Sequence, residues 1–192
     1  MTDIQNIDEY IQEKQESLIS IHNEVIIGAK KYSFSYQEVL DGAISMYLPE
    51  EIAPMNGLSI KLKYPMEDRP EIILTTMDET VNFLFTPTDF EFSAMEAKST
   101  IDGFRTVIKR MNPSFTIRES QLLHTEQDKE IYWFDYRSPV LETELYNLMY
   151  VTEIRGTLLI GGFNCLSEHR HLWKTLVLQM LKTISVREVR AC

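Results

Sequence analysis

Hydrophobic positions are densest between residues 129 and 184, where three apolar segments, 130–136, 145–152 and 157–165, are separated by short polar breaks. In the first, Ile131, Trp133 and Asp135 fall on one side and Tyr132, Phe134 and Tyr136 on the other. In the second, Leu145, Asn147, Met149 and Val151 oppose Tyr146, Leu148 and Tyr150. A strand with one wet face alternates apolar and polar residues, because successive side chains point to opposite faces. These segments do not alternate, which predicts an antiparallel meander in a sheet covered on both faces. The breaks are too short for helical crossovers, and Arg155-Gly156 reads as a tight turn because Gly accepts positive φ. Leu172, Trp173, Leu176, Val177, Met180, Leu181 and Ile184 then form one stripe at a period near 3.6, a closing helix. Burial of each Leu or Met there stabilises by roughly 1.5–3 kcal/mol, so this helix anchors the C-terminal half.

The remaining pattern fills in the fold. Residues 24–36 are extended, and after Gly42 the alternation of Ile44, Met46 and Leu48 with Ser45 and Tyr47 predicts early strands of the same sheet, wetter on one face. Ile60, Leu62 and Tyr64 alternate with Lys61 and Lys63, which predicts a short edge strand guarded by lysines. A rigid, exposed loop follows at 64–70, with Pro65 and Pro70 enclosing Glu67, Asp68 and Arg69. Residues 71–76 and 81–86 flank a hairpin loop, and Thr86-Pro87-Thr88-Asp89 ends the second strand. Ser93-Ala94-Met95-Glu96 fits a capping box. Ala97, Ile101, Phe104, Ile108 and Met111 step along one helical face until Asn112-Pro113 stops the helix. Gly103 costs that helix about 1 kcal/mol against Ala, which points to a close approach to the sheet. Residues 115–123 resume as a strand. At the start of the chain, Ile4, Ile7, Ile11, Leu18 and Ile21 fall near heptad spacing among charged and amide residues. The predicted organisation is an amphipathic segment at 1–22 and one α+β domain at 23–192, a mostly antiparallel sheet with helices on both faces.

Charge and composition narrow the function. With 192 residues, 44% hydrophobic and 25% charged, the chain suits one domain with a sizeable core. A net charge of −10 opposes nucleic acid and anionic membranes, both of which need clustered Lys and Arg. No run of about 18 apolar residues is present, and residues 1–6 lack a basic, then apolar, secretory leader. A cytoplasmic protein is expected, with Cys165 and Cys192 reduced. Cys165, His169 and His171 have soft and borderline ligands for zinc. Residues two apart diverge by about 200° on a helix, so both imidazoles reach one ion only if His169 precedes the helix. No second cysteine pair, Gly-x-Ser-x-Gly elbow or phosphate-binding glycine loop accompanies them. Gly161-Gly162, inside a strand, reads as room for a helix or an aromatic ring. No catalytic residue, metal or cofactor is predicted.

Ala43-Ile44-Ser45-Met46-Tyr47-Leu48-Pro49, Tyr146-Asn147-Leu148 and Gly161-Gly162-Phe163-Asn164-Cys165, in this element order, resemble the PsbP-like α/β sandwich superfamily. That superfamily includes the extrinsic photosystem protein, a yeast Ran-binding protein and the bacterial DcrB-like proteins. The resemblance covers residues 24–185 and implies a non-enzymatic binding or assembly role. The expected function is therefore a protein-interaction domain. Its working surface is expected to include Tyr64, Glu67, Asp68 and Arg69 of the loop, Ile4, Ile7 and Ile11 of the leading segment, or both. The alternative is a small-molecule groove between sheet and helix, lined by Tyr132, Tyr136, Tyr146 and Tyr150 on one shared face.

Overall fold

The computed structural model describes residues 19–140 and 143–187. The chain begins with a hairpin of β1 (Val25–Ile27) and β2 (Lys30–Tyr32), followed by β3 (Phe34–Val39) and β4 (Ile44–Pro49). Next come β5 (Ala53–Pro54), α1 (Gly57–Lys63), β6 (Ile72–Thr75), β7 (Val81–Glu91) and α2 (Ala97–Met111). Strands β8 (Thr116–Ile117) and β9 (Gln121–His124) lead into the meander of β10 (Glu130–Val140), β11 (Thr143–Ile154) and β12 (Thr157–Leu166). Helix α3 (Arg170–Lys182) and β13 (Ser185–Val186) complete the described chain.

Strands β5 to β12 build an eight-stranded antiparallel sheet in the order β5-β6-β7-β12-β11-β10-β8, with β9 beside β10. The two longest ladders, β10–β11 and β11–β12, are hairpins, and the turn between β11 and β12 has Arg155 at φ 52 and Gly156 at φ 82. Two positive φ values define the type I′ turn, whose twist matches that of the strands it joins. One face of the sheet carries Phe134, Val151 and Leu158, packed with Ala97 and Ile101 of α2. The other carries Trp133, Leu148, Tyr150 and Phe163, in one cluster with Trp173, Leu176, Val177, Met180 and Leu181 of α3. This is the predicted α+β architecture with both faces covered.

Several local expectations are corrected. The early strands do not join the main sheet: β3 and β4 pair with β13 in a separate three-stranded sheet, and β1 and β2 pair with each other. Ile44, Met46 and Leu48 are buried in the same cluster as α3, so this small sheet needs only one dry face. Residues 60–64 are not an edge strand. Asn56 accepts from the backbone N–H of Leu58 and Ser59 at 3.1 and 3.0 Å, and this cap starts a helix instead. Strand β7 runs on through Pro87. The β6 ladder ends at the Ile72–Phe85 pair, so beyond it that edge of β7 needs no further donor. The strand expected over 115–123 is broken into β8 and β9, and Ile21 lies in a turn. Ile4, Ile7, Ile11 and Leu18 lie outside the described residues.

The glycines separate two cases. The Ser93 capping box forms, and it opens a 3-10 turn at Ala94–Glu96 ahead of α2. Within α2, Met111 is 74% exposed, and a Cβ at Gly103 would meet nothing within 4 Å, so Gly103 marks no close approach. Gly161 does: a Cβ there would stand 1.8 Å from the ring of Tyr150, its partner across the β11–β12 ladder. Chemical denaturation should therefore show Gly103→Ala stabilising the protein by about 0.5–1 kcal/mol, through helix propensity alone. Gly161→Ala should destabilise it by about 1–3 kcal/mol, because the aromatic ring must leave its seat.

Candidate functional site

The strand registers align Thr75, Asn82, Asn164, Asn147 and Tyr136 in one row across β6, β7, β12, β11 and β10. Asn82 and Asn164 are buried, and buried amides are stable only when paired. Thr75 Oγ1 donates to Asn82 Oδ1 at 2.7 Å, and Asn82 Nδ2 donates to Asn164 Oδ1 at 2.7 Å. Asn164 Nδ2 then donates to the Tyr64 hydroxyl at 3.1 Å, and Asn147 Nδ2 to Ser138 Oγ at 2.9 Å. Tyr64 is the C-cap of α1, its backbone N–H bonded to Ile60 O, so the end of that helix places the ring over the row. Burial raises the Tyr64 hydroxyl above its usual range, only partly offset by the bond from Asn164. Burial, with Tyr64 nearby, pushes Tyr136 up to about 12. Both remain neutral hydroxyls able to donate at any ordinary pH.

Beside this row lies a groove of about 420 Å³. Its floor is Leu84, Gly162, Met149 and Ile160, with Asn147 and Tyr136 at the polar end. Asp68 and Pro70 of the loop stand on one side and Ile108 of α2 on the other. Gly162 keeps the floor low: a Cβ there would meet Leu84 at 3.1 Å.

The wall next to the groove is held in an unusual way. Helix α1 buries none of its residues. Glu79, in the β6–β7 turn, fastens it: Ser59 Oγ and Asn56 Nδ2 donate to Glu79 Oε1 at 2.5 and 3.1 Å, and Lys63 Nζ pairs with Oε2 at 2.9 Å. The bonds from Ser59 and Lys63 hold the Glu79 carboxyl below its ordinary range. Leu58 and Leu62, one helical turn apart, are left 71% and 75% exposed, with Met66 just beyond at 67%.

The predicted site residues therefore divide. Tyr64 is half-buried in the hydrogen-bonded row, Asp68 reaches the groove, and Glu67 and Arg69 are exposed. Ile4, Ile7 and Ile11 fall outside the described residues. The four tyrosines do not share a face. Tyr132 and Tyr136 pack on the α2 side, and Tyr146 and Tyr150 lie in the α3 cluster. The β10–β11 register sets Tyr132 opposite Val151 and Trp133 opposite Tyr150, which sends the two pairs to opposite sides, and only Tyr136 lines the groove. The asparagine row and the Glu79 fastening were missed. The available signal was a single Asn within each of three largely apolar segments. His169 does precede α3, in a 3-10 turn, but Cys165 is buried and burial raises its thiol well above the usual range. Among the described residues no group of three or more His, Cys, Asp or Glu is placed to hold a metal ion.

The same arrangement of sheet and helices occurs in cyanobacterial PsbP (CyanoP) from Synechocystis sp. PCC 6803. The two match with a TM-score of 0.60 over 85% of this chain and 98% of that one, at 12% identity. This chain has the PsbP-like fold. LpqN of Mycobacterium tuberculosis, involved in cell envelope biogenesis, matches with a TM-score of 0.50 over 82% of this chain and 92% of its own, at 7% identity. No protein-family model and no curated protein matches the chain. At these identities the PsbP-like likeness concerns the fold alone.

The Glu79 fastening has a pH signature. A carboxyl whose folded pKa is lowered contributes stability that is complete above its unfolded value of about 4.3 and is lost as pH falls. Protection of the α1 amides, corrected for intrinsic exchange, should fall on acidification below about pH 4.3. In Glu79→Gln it should already be low at neutral pH, with core amides unchanged.

Proposed function

We propose that this chain is a non-enzymatic binding module that engages an apolar segment of a protein partner through α1, the 64–70 loop and the groove beside them. The observation that carries this reading is the exposed trio of Leu58, Leu62 and Met66 on a helix and loop that bury none of these side chains. Single exposed apolar residues are ordinary, but two leucines in register on a helix that buries none of its residues fully form a ready docking ridge. The adjoining groove, with an apolar floor and neutral hydrogen-bonding groups at one end, suits side chains and backbone of an inserted segment. Asp68 at its wall and a net charge of −10 favour basic residues flanking that segment. The buried Cys165 thiol, held protonated, supports a non-catalytic role.

The test is affinity capture from lysate of the native host, with the wild-type protein and Leu58→Ser/Leu62→Ser run in parallel. These side chains are mostly exposed, so the variant should match the wild type in stability. A near-stoichiometric partner should be retained by the wild type and lost by the variant. Equal capture by both would refute a role for the ridge.

The groove itself favours a second reading, a small-molecule site on the α2 side. Gly162→Val would fill the floor against Leu84. A compound that stabilises the wild type in a thermal-shift screen should then lose its effect in this variant while partner capture persists.

A further inference from the structure

The other side of the sheet carries a separate cleft of about 330 Å³, between β10 and α3. At its base is Asp135, the one acid on the inner face of β10, with its side chain 3% exposed. Lys174 Nζ and the Tyr146 hydroxyl donate to Asp135 Oδ2 at 2.8 and 3.0 Å, and Arg118 Nε stands 3.7 Å from Oδ1. Burial and the neighbouring Asp135 charge raise Tyr146 far above its ordinary range, so it stays a neutral donor. Arg170 of α3 lines the same cleft, held by a bond from Nη1 to Ser167 O at 3.3 Å. The cleft thus holds one carboxylate and three basic side chains, in a chain whose net charge is −10.

A buried ion pair that served only to join α3 to β10 would need Lys174 and Asp135. It would not need two further guanidinium groups from separate elements at the mouth of a cavity. Asp135 offsets one of these charges, and a concave site that keeps a surplus of positive charge concentrates anions. Arginine forks match the paired oxygens of carboxylates and phosphates. The side chain of Leu178 supplies apolar wall beside the cations. We propose that this cleft binds a small organic anion, a carboxylate or phosphate monoester on a compact apolar body. Arg118 and Arg170 grip the anionic group. Lys174, oriented by Asp135 and lying 5.0 Å from the centre of the Trp133 ring, contributes the third positive charge.

Trp133 supplies the readout. The full chain is titrated at low ionic strength with phenyl phosphate, benzoate and inorganic phosphate, following tryptophan fluorescence, with sodium chloride at matched ionic strength as the control. Saturable binding of phenyl phosphate or benzoate by the wild type is expected, and the preferred probe identifies the anionic group. Arg170→Gln and Arg118→Gln should each weaken it by roughly tenfold or more. Arg170 is not bonded to Asp135, so its variant should fold even if Arg118→Gln does not. A response reproduced by sodium chloride, an absence of saturable binding at millimolar probe, or equal binding by wild type and Arg170→Gln would each overturn the proposal.

Discussion

Strands β10, β11 and β12 carry apolar residues on both faces, and the rest of the architecture follows from that constraint. Each successive side chain must be covered, alternately by α2 and by α3. On the α3 side the cover is thorough. Trp173 meets Tyr32 of β2 at 4.9 Å and Phe163 of β12 at 5.7 Å, and the small sheet of β3, β4 and β13 joins the same cluster. On the α2 side it is thinner, since only Ala97 and Ile101 of that helix are fully buried. The cover runs out over β12 and β7, where the sheet presents Leu84, Gly162 and the asparagine row. The groove and the polar row therefore coincide for one reason. Both occupy the part of a double-sided sheet that its shorter-reaching helix leaves open.

This geometry also explains the roles of Asn164 and Asp135. A polar side chain on a covered face must find partners within the fold, or its burial costs more than the packing gains. Asn164 finds them along the row and in Tyr64, and so ties the end of α1 to the centre of the sheet. Asp135 finds Tyr146 and Lys174, and so ties α3 to β10. Each fixes the position of a neighbouring element more specifically than apolar contact would.

The elements legible in the sequence were those whose evidence is local. The α3 stripe, the Ser93 capping box and the Arg155-Gly156 turn each rest on residues a few positions apart, and each forms where it was expected, except that α3 stops at Lys182 and leaves Ile184 beyond its end. Failures came where the deciding interaction is distant or where two local patterns compete. Ile60, Leu62 and Tyr64 alternate like a strand, but Asn56 caps a helix, and Glu79, in the β6–β7 turn, holds it. The faces of β10 and β11 were each assigned correctly, yet their relative register was not, so two pairs of tyrosines on opposite sides were read as one set. The site was only half visible for the same reason. Tyr64 and Asp68 stood out through their loop, whereas Asn82, Asn147 and Asn164 become a site only when three separate strands are aligned.

The main sheet is longest at its centre and shortest at its margins. Its inner strands run for 10 to 12 residues, whereas one rim is the two-residue Ala53–Pro54 and the other is split between Thr116–Ile117 and Gln121–His124. A long flat rim would offer unpaired N–H and C=O groups as a template for the next molecule. Here the strands richest in apolar and aromatic residues are enclosed by neighbours on both sides, and the exposed rims are too short or too broken by Pro54 to seed such growth. The lysines expected to guard an edge sit on a helix instead, so brevity of the outer strands, rather than charge, is what keeps this sheet from extending into a fibre.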